Sequence, residues 1–182
     1  MLVLGAVRRR GRAHGYLVRV DLESWGAHEW STATSGSVYH ALTSMSAGGL
    51  LSAYDAAASD AGGPPRTEYE ITVEGETAYF ALLRAALSRH DPRLDTLSAA
   101  VGFIEDLTRA EAIALLHQRE AGMQRWRAAI TSSLPTDADM HEWGPVGAVI
   151  ELWLHTADSR SDWTRQLLHR LEAGAFQMAD ER

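Results

Sequence analysis

Thr34-Ser35-Gly36-Ser37-Val38-Tyr39-His40-Ala41-Leu42-Thr43-Ser44-Met45-Ser46-Ala47, followed by Gly48-Gly49-Leu50-Leu51-Ser52-Ala53-Tyr54 and then by Tyr69-Glu70-Ile71-Thr72, decides the fold of the first half of the chain. Thr34 is a good helix N-cap, and Val38, Ala41, Leu42 and Met45 recur at offsets 0, +3, +4 and +7, one face of a helix. Gly48-Gly49 stops it. Leu50–Tyr54 then reads as a strand and Tyr69–Thr72 as its antiparallel partner. The small, polar run Ala56-Ala57-Ala58-Ser59-Asp60-Ala61-Gly62-Gly63-Pro64-Pro65 between them suits a hairpin tip.

Outward from this stretch, Leu2–Arg9 predicts a short helix ending at Gly11, and His14–Trp25 a second one stopped by Gly26. Downstream, Thr72 caps a helix with Tyr79, Leu82, Leu83, Ala86 and Leu87 on one stripe, ending at Asp91-Pro92. Three helices, a hairpin and a fourth helix make a winged helix-turn-helix over residues 1–90. Residues 91–182 read as helix throughout. A short segment spans Thr96–Leu107, and a capping box at Thr108-Arg109-Ala110-Glu111 opens a helix bearing Ala112, Leu116, Met123, Trp126 and Ile130. The longest helix runs from Pro145 to about Ala173. Its residues Val146, Ile150, Trp153, Ala157, Arg160, Thr164, Leu167 and Leu171 follow a 4,3 spacing, that of a coiled-coil seam. Such a seam seeks a partner, so dimerisation is expected through Ile150, Trp153, Leu167 and Leu171. The expected fold class is mainly α with a small β-hairpin wing.

Composition narrows the function classes. The 182 residues carry 17 basic and 24 acidic side chains, a formal charge of −7, and every basic residue is arginine. Residues 1–66 hold six arginines against five acids; the remainder is strongly acidic. An anion-binding surface therefore belongs in the first half if it belongs anywhere. Cysteine is absent, which excludes disulfides and thiol nucleophiles. No HExxH spacing, nucleophile elbow, P-loop or dinucleotide fingerprint occurs, so neither metal, cofactor nor catalysis is expected. Trp30–Tyr54 lacks Asp, Glu and Arg but is rich in Ser, Thr and Gly, which defeats a membrane reading. A soluble, cytoplasmic chain is expected.

The motifs His14-Gly15-Tyr16, Ser35-Gly36-Ser37-Val38-Tyr39-His40-Ala41-Leu42, Gly48-Gly49-Leu50-Leu51, Gly63-Pro64-Pro65-Arg66 and Tyr69-Glu70-Ile71-Thr72-Val73-Glu74-Gly75 occur in an order and spacing that resemble the PadR-like family of bacterial transcriptional regulators. The match runs over roughly residues 1–90, and Leu116-His117-Gln118-Arg119-Glu120 looks like the dimerisation region of longer members. The resemblance implies a homodimeric repressor that binds a palindromic operator in double-stranded DNA and is released by a small effector. Its recognition helix would present Ser35, Ser37, Tyr39, His40 and Thr43 to base edges. Arg66 at the wing base and the Arg8–Arg12 cluster, Arg12 included, would supply phosphate charge.

Thr43-Ser44 stands where relatives commonly carry basic residues, and the wing tip carries Asp55 and Asp60. Fewer phosphate contacts imply a shallower salt dependence. The alternative function is a winged-helix protein–protein interaction module without DNA binding. For the effector, apolar or aromatic in class, the candidate residues are Trp143, Trp153 and Trp126. His14 reads as a residue that caps and packs locally.

Overall fold

The computed structural model describes residues 1–31, 34–56, 66–89, 94–135 and 139–182. The chain is mainly helical with a small antiparallel sheet, and it divides into two units. Met1–Ala85 with Arg93–Phe103 form the first; Ala86–Pro92 with Ile104–Arg182 form the second. The first unit thus takes in Arg93–Phe103, beyond the boundary expected near residue 90.

In the first unit the elements are α1 (Leu2–Arg10), β1 (Arg12–His14), α2 (Gly15–Ser24), α3 (Ala27–Trp30), α4 (Ser35–Ala47), β2 (Leu51–Ala56), β3 (Arg66–Ile71), the first part of α5 (Val73–Ser88) and α6 (Leu94–Gly102). The sheet order is β1-β3-β2, with Ala13 opposite Tyr69 and Leu51 opposite Ile71. Helix, strand and helix follow the winged order expected from the sequence.

Two elements were illegible beforehand. β1 is three residues long, and its partners on β3 lie far along the chain (Arg12 with Glu70, His14 with Glu68), so no local period announces it. α3 is a single turn, entered through Gly26 at φ 64, a left-handed conformation that glycine adopts without Cβ strain.

Local chemistry explains the helix starts. Thr34 caps α4: its Oγ1 accepts from the Ser37 amide at 3.3 Å, and its own amide donates to Ser37 Oγ at 2.8 Å. Thr72 Oγ1 accepts from the Gly75 amide at 3.0 Å and donates to the Gly49 carbonyl at 2.8 Å, tying the start of α5 to the turn after α4. The core of this unit is Leu4, Val7, Val18, Leu22, Val38, Leu42, Leu51, Tyr79, Leu83 and Phe103. Ala41 and Met45 are only half-buried, and Leu82, expected on the buried stripe, is 47% exposed. The hairpin tip at 57–65 and the Asp91-Pro92 stop lie outside the described residues.

The second unit holds a 3-10 turn (Ile104–Asp106), α7 (Arg109–Ser132), α8 (Gly144–Glu172) and a closing 3-10 turn (Ala179–Glu181). Thr108 caps α7, accepting from the Glu111 amide at 3.2 Å. Pairs Glu120–Ser161 and Arg127–Asp158 show that α7 and α8 run antiparallel.

The 4,3 seam is corrected here. Ala157, Thr164, Leu167 and Leu171 are buried within this unit, so Leu167 and Leu171 are not open to a second chain. Ile150 is also buried, whereas Val146 and Trp153 are exposed. Spacing alone makes the seam one surface, because it cannot say which chain covers it.

Arg109 closes the unit. Its guanidinium donates to the carbonyls of Leu171 (2.5 Å), Ala175 (3.0 Å) and Phe176 (3.0 Å), and to both carboxylate oxygens of Glu181 (2.6 and 2.8 Å). Hydrogen bonding to Arg109 holds the Glu181 carboxyl below the usual carboxylate range. A depressed folded value means that this stabilisation is complete above the ordinary carboxylate range and is lost as pH falls through the folded value. Melting temperature should therefore fall less steeply toward acid pH in Glu181→Gln than in the wild type. Parallel curves between pH 7 and pH 3 would remove the pair from the account. Because the pair is partly solvated, low salt should enlarge the difference.

Candidate nucleic-acid interface

The capping of α4 sets which of its side chains face outward. Tyr39 is 48% exposed, and His40 and Thr43 are exposed. Thr43 Oγ1 donates back to the Tyr39 carbonyl at 3.1 Å, which leaves its oxygen's acceptor capacity outward. Ser37 is exposed too, but its hydroxyl donates to the Thr34 carbonyl at 2.9 Å and belongs to the cap. Ser35 is the first residue of α4, so its position is set by the same cap.

Tyr39 and His40, one residue and about 100° apart on the helix, face different hollows. Tyr39 lines a cavity of about 620 Å³ with His14, Gly15, Tyr16, Arg66, Thr67 and Tyr69. Two residues expected at the interface, Tyr39 and Arg66, are thereby brought together with His14 and Tyr16. The sequence signal for them was the His-Gly-Tyr motif itself. Its glycine has a steric reason: a Cβ on Gly15 would overlap the Tyr39 ring, so the ring lies directly against the start of α2. His40 lines a second cavity of about 660 Å³ with Ser37, Ser44, Met45, Leu82 and Asp95 among others.

The arginines of the cluster have acidic or carbonyl partners within the chain. Arg8 pairs with Glu76 at 2.9 Å, Arg10 with Asp21 at 2.5 Å, Arg12 with Glu70 at 2.8 Å, and Arg19 with Glu23. Arg9 donates to the Gly102 carbonyl at 2.7 Å and lies over the Phe103 ring, 4.6 Å from its centre. Arg12, expected at the interface, sits opposite Glu70 in the β1–β3 ladder, with its guanidinium 4.1 Å from the centre of the Tyr54 ring. Hydrogen bonds to Asp21 and Glu70 hold the protons of Arg10 and Arg12 more tightly than usual. Counting charge along the chain missed these partners because they come from other elements. Arg66 differs: it is exposed, and its Nη1 lies 3.5 Å from His14 Nε2.

The tryptophans proposed for an effector are not gathered at either cavity. Trp143 and Trp153 are exposed on the second unit, and Trp126 is half-buried on α7. Among the described residues no group of three His, Asp or Glu side chains is arranged to hold a metal ion. No helix among them is long and apolar enough to cross a membrane.

A helical unit carrying a three-stranded wing, with a capped, outward-facing helix beside the wing base, defines the winged helix-turn-helix class of protein. Residues 3–81 match the model described as the transcriptional regulator PadR-like family. Among curated proteins nothing matches the chain. Three solved structures are similar to it. Bacillus subtilis PadR in complex with operator DNA is 18% identical over 93% of this chain and 97% of that one, with a TM-score of 0.41. Bacillus subtilis PadR in complex with p-coumaric acid is 18% identical over 93% and 96%, with a TM-score of 0.36. The PadR-like transcriptional regulator BC1756 from Bacillus cereus is 15% identical over 95% and 97%, with a TM-score of 0.38.

Proposed function

We propose that this chain is a homodimeric, sequence-specific DNA-binding regulator, a repressor of a palindromic operator that a small hydrophobic or aromatic effector releases. Residues 1–90 would read DNA and residues 91–182 would hold the dimer. The observation that carries the reading is the grouping of Tyr39, on the exposed face of α4, with Arg66 at the wing base, inside the segment that matches the PadR-like family. In this reading Tyr39, His40 and Thr43 approach base edges, with Ser35 and Ser37 at the helix start. Arg66 meets the backbone.

The test is an electrophoretic mobility shift at low salt against the DNA upstream of the chain's own gene. Tyr39→Phe removes one hydroxyl and keeps the ring against Gly15, so affinity should fall by about 1 kcal/mol, the net worth of one hydrogen bond. Arg66→Ala should weaken every duplex alike and lower the slope of log affinity against log salt by about one. Unchanged binding in both variants would sink the assignment of these residues. The effector part is tested by tryptophan fluorescence with flat aromatic compounds, each hit then carried into the mobility shift. Trp143, Trp153 and Trp126 are the reporters.

A second reading, a winged-helix interaction module that does not bind DNA, is favoured by the ion pairs that neutralise Arg8, Arg10, Arg12 and Arg19. Absence of any shift at low salt would select it.

A further inference from the structure

We propose that the cavity formed by His14, Tyr16, Tyr39 and Arg66 is a proton-linked seat for a phosphodiester of the DNA backbone, in which His14 takes up a proton as the phosphate enters. The inference rests on the DNA-binding reading and adds to it a ligand group, a residue and a pH dependence.

A guanidinium donates and never accepts. Arg66 Nη1 lies 3.5 Å from His14 Nε2, so a fixed cation stands beside the imidazole. Protonation of Nε2 in the empty cavity would set two cations against each other. A phosphodiester reverses the preference, because its two unesterified oxygens accept from Arg66 and from an imidazolium together. Anion entry and proton uptake therefore favour each other, as linkage requires. A histidine is the side chain suited to this, since its charge changes near neutral pH.

The surroundings suit an anion. His14 precedes α2 in an extended conformation (φ −88, ψ 160), and its side chain makes no capping bond, so the ring stays available. Tyr16 stacks on it at 6.1 Å, and the Tyr39 ring forms another wall; both are exposed and carry hydroxyl donors. Arg19 lies over the Tyr16 ring at 5.1 Å, adding positive potential that its pairing with Glu23 partly cancels. From β3, Tyr69 lines the cavity, and Glu68 sits opposite His14 in the ladder. From β1, Arg12 is held by Glu70. On β2, Tyr54 is the other ladder partner of Glu68. Glu68 is the competing group: its carboxylate would favour a charged His14 with no phosphate present, so the test must include it.

The experiment is fluorescence anisotropy with a labelled duplex of the upstream DNA between pH 6 and 8.5 at fixed ionic strength. Calorimetry in two buffers of different ionisation enthalpy counts the protons. Affinity should fall as pH rises, by up to about tenfold per unit for each linked proton. His14→Gln should flatten this dependence, while His40→Gln and Glu68→Gln keep it. Arg66→Gln, an exposed change that leaves folding alone, should lower affinity most at acid pH. A slope that survives in His14→Gln, or binding without proton uptake, overturns the seat and leaves DNA binding intact. If no duplex binds at any pH, the DNA reading falls instead. Inorganic phosphate then decides: at pH 7 it should move the His14 ring resonances toward the imidazolium form in the wild type and not in Arg66→Gln. Resonances that stay still overturn the seat.

Discussion

Phe103→Ala should destabilise the first unit by about 3–5 kcal/mol, the usual cost of deleting a buried aromatic ring. The ring is 2% exposed and meets Trp25 edge-on at 5.5 Å and Tyr79 at 5.8 Å between centres. It also fills the space beside Gly5, where a Cβ would overlap the ring, and lies under the Arg9 guanidinium. Three elements, α1, the end of α2 and α5, thus converge on one side chain. Total stabilities of about 5–15 kcal/mol make such a loss a large fraction of the whole.

Urea unfolding followed by circular dichroism checks the value, with Phe103→Leu as a milder companion. A change below about 1 kcal/mol would show that the ring is peripheral. The same reasoning applies to a chain ending at His90. It lacks α6 and Phe103, both part of the first unit, and should unfold rather than behave as a free winged domain.

Trp153→Glu should convert a dimer to a monomer at micromolar concentration while leaving the fold intact. Trp153 is 48% exposed in the single chain, and Val146 and Val149 lie beside it on the first half of α8, exposed as well. An apolar stripe of this kind gains by being covered, and a charge placed in its centre would have to be desolvated. Leu167→Ala is the contrast. Leu167 is buried against the chain's own helices, so its loss should cost about 2–5 kcal/mol of folding stability. Sedimentation and thermal melts separate the two effects. A wild type that sediments as a monomer, or a Trp153→Glu dimer, would remove α8 from the proposed interface.

The local signals in the sequence were strong where structure is local. Thr34 announced the start of α4, Thr72 that of α5, and Thr108 that of α7, because caps are contacts between residues three apart. The helical periods, the hairpin strands and the motif order determined the winged class, since each depends on side-chain type at short spacing.

Only the tertiary structure decided the rest. It paired Arg12 with Glu70 and Arg10 with Asp21, turning a cluster of basic residues into internal contacts. It carried Phe103 back into the first unit and divided the α8 seam between a covered half and an open one. It also set His14, read as a packing residue, against Arg66 fifty-two positions away. Charge and apolarity are properties of a residue. Whether they remain available depends on which distant element lies opposite, and spacing along the chain carries no record of that.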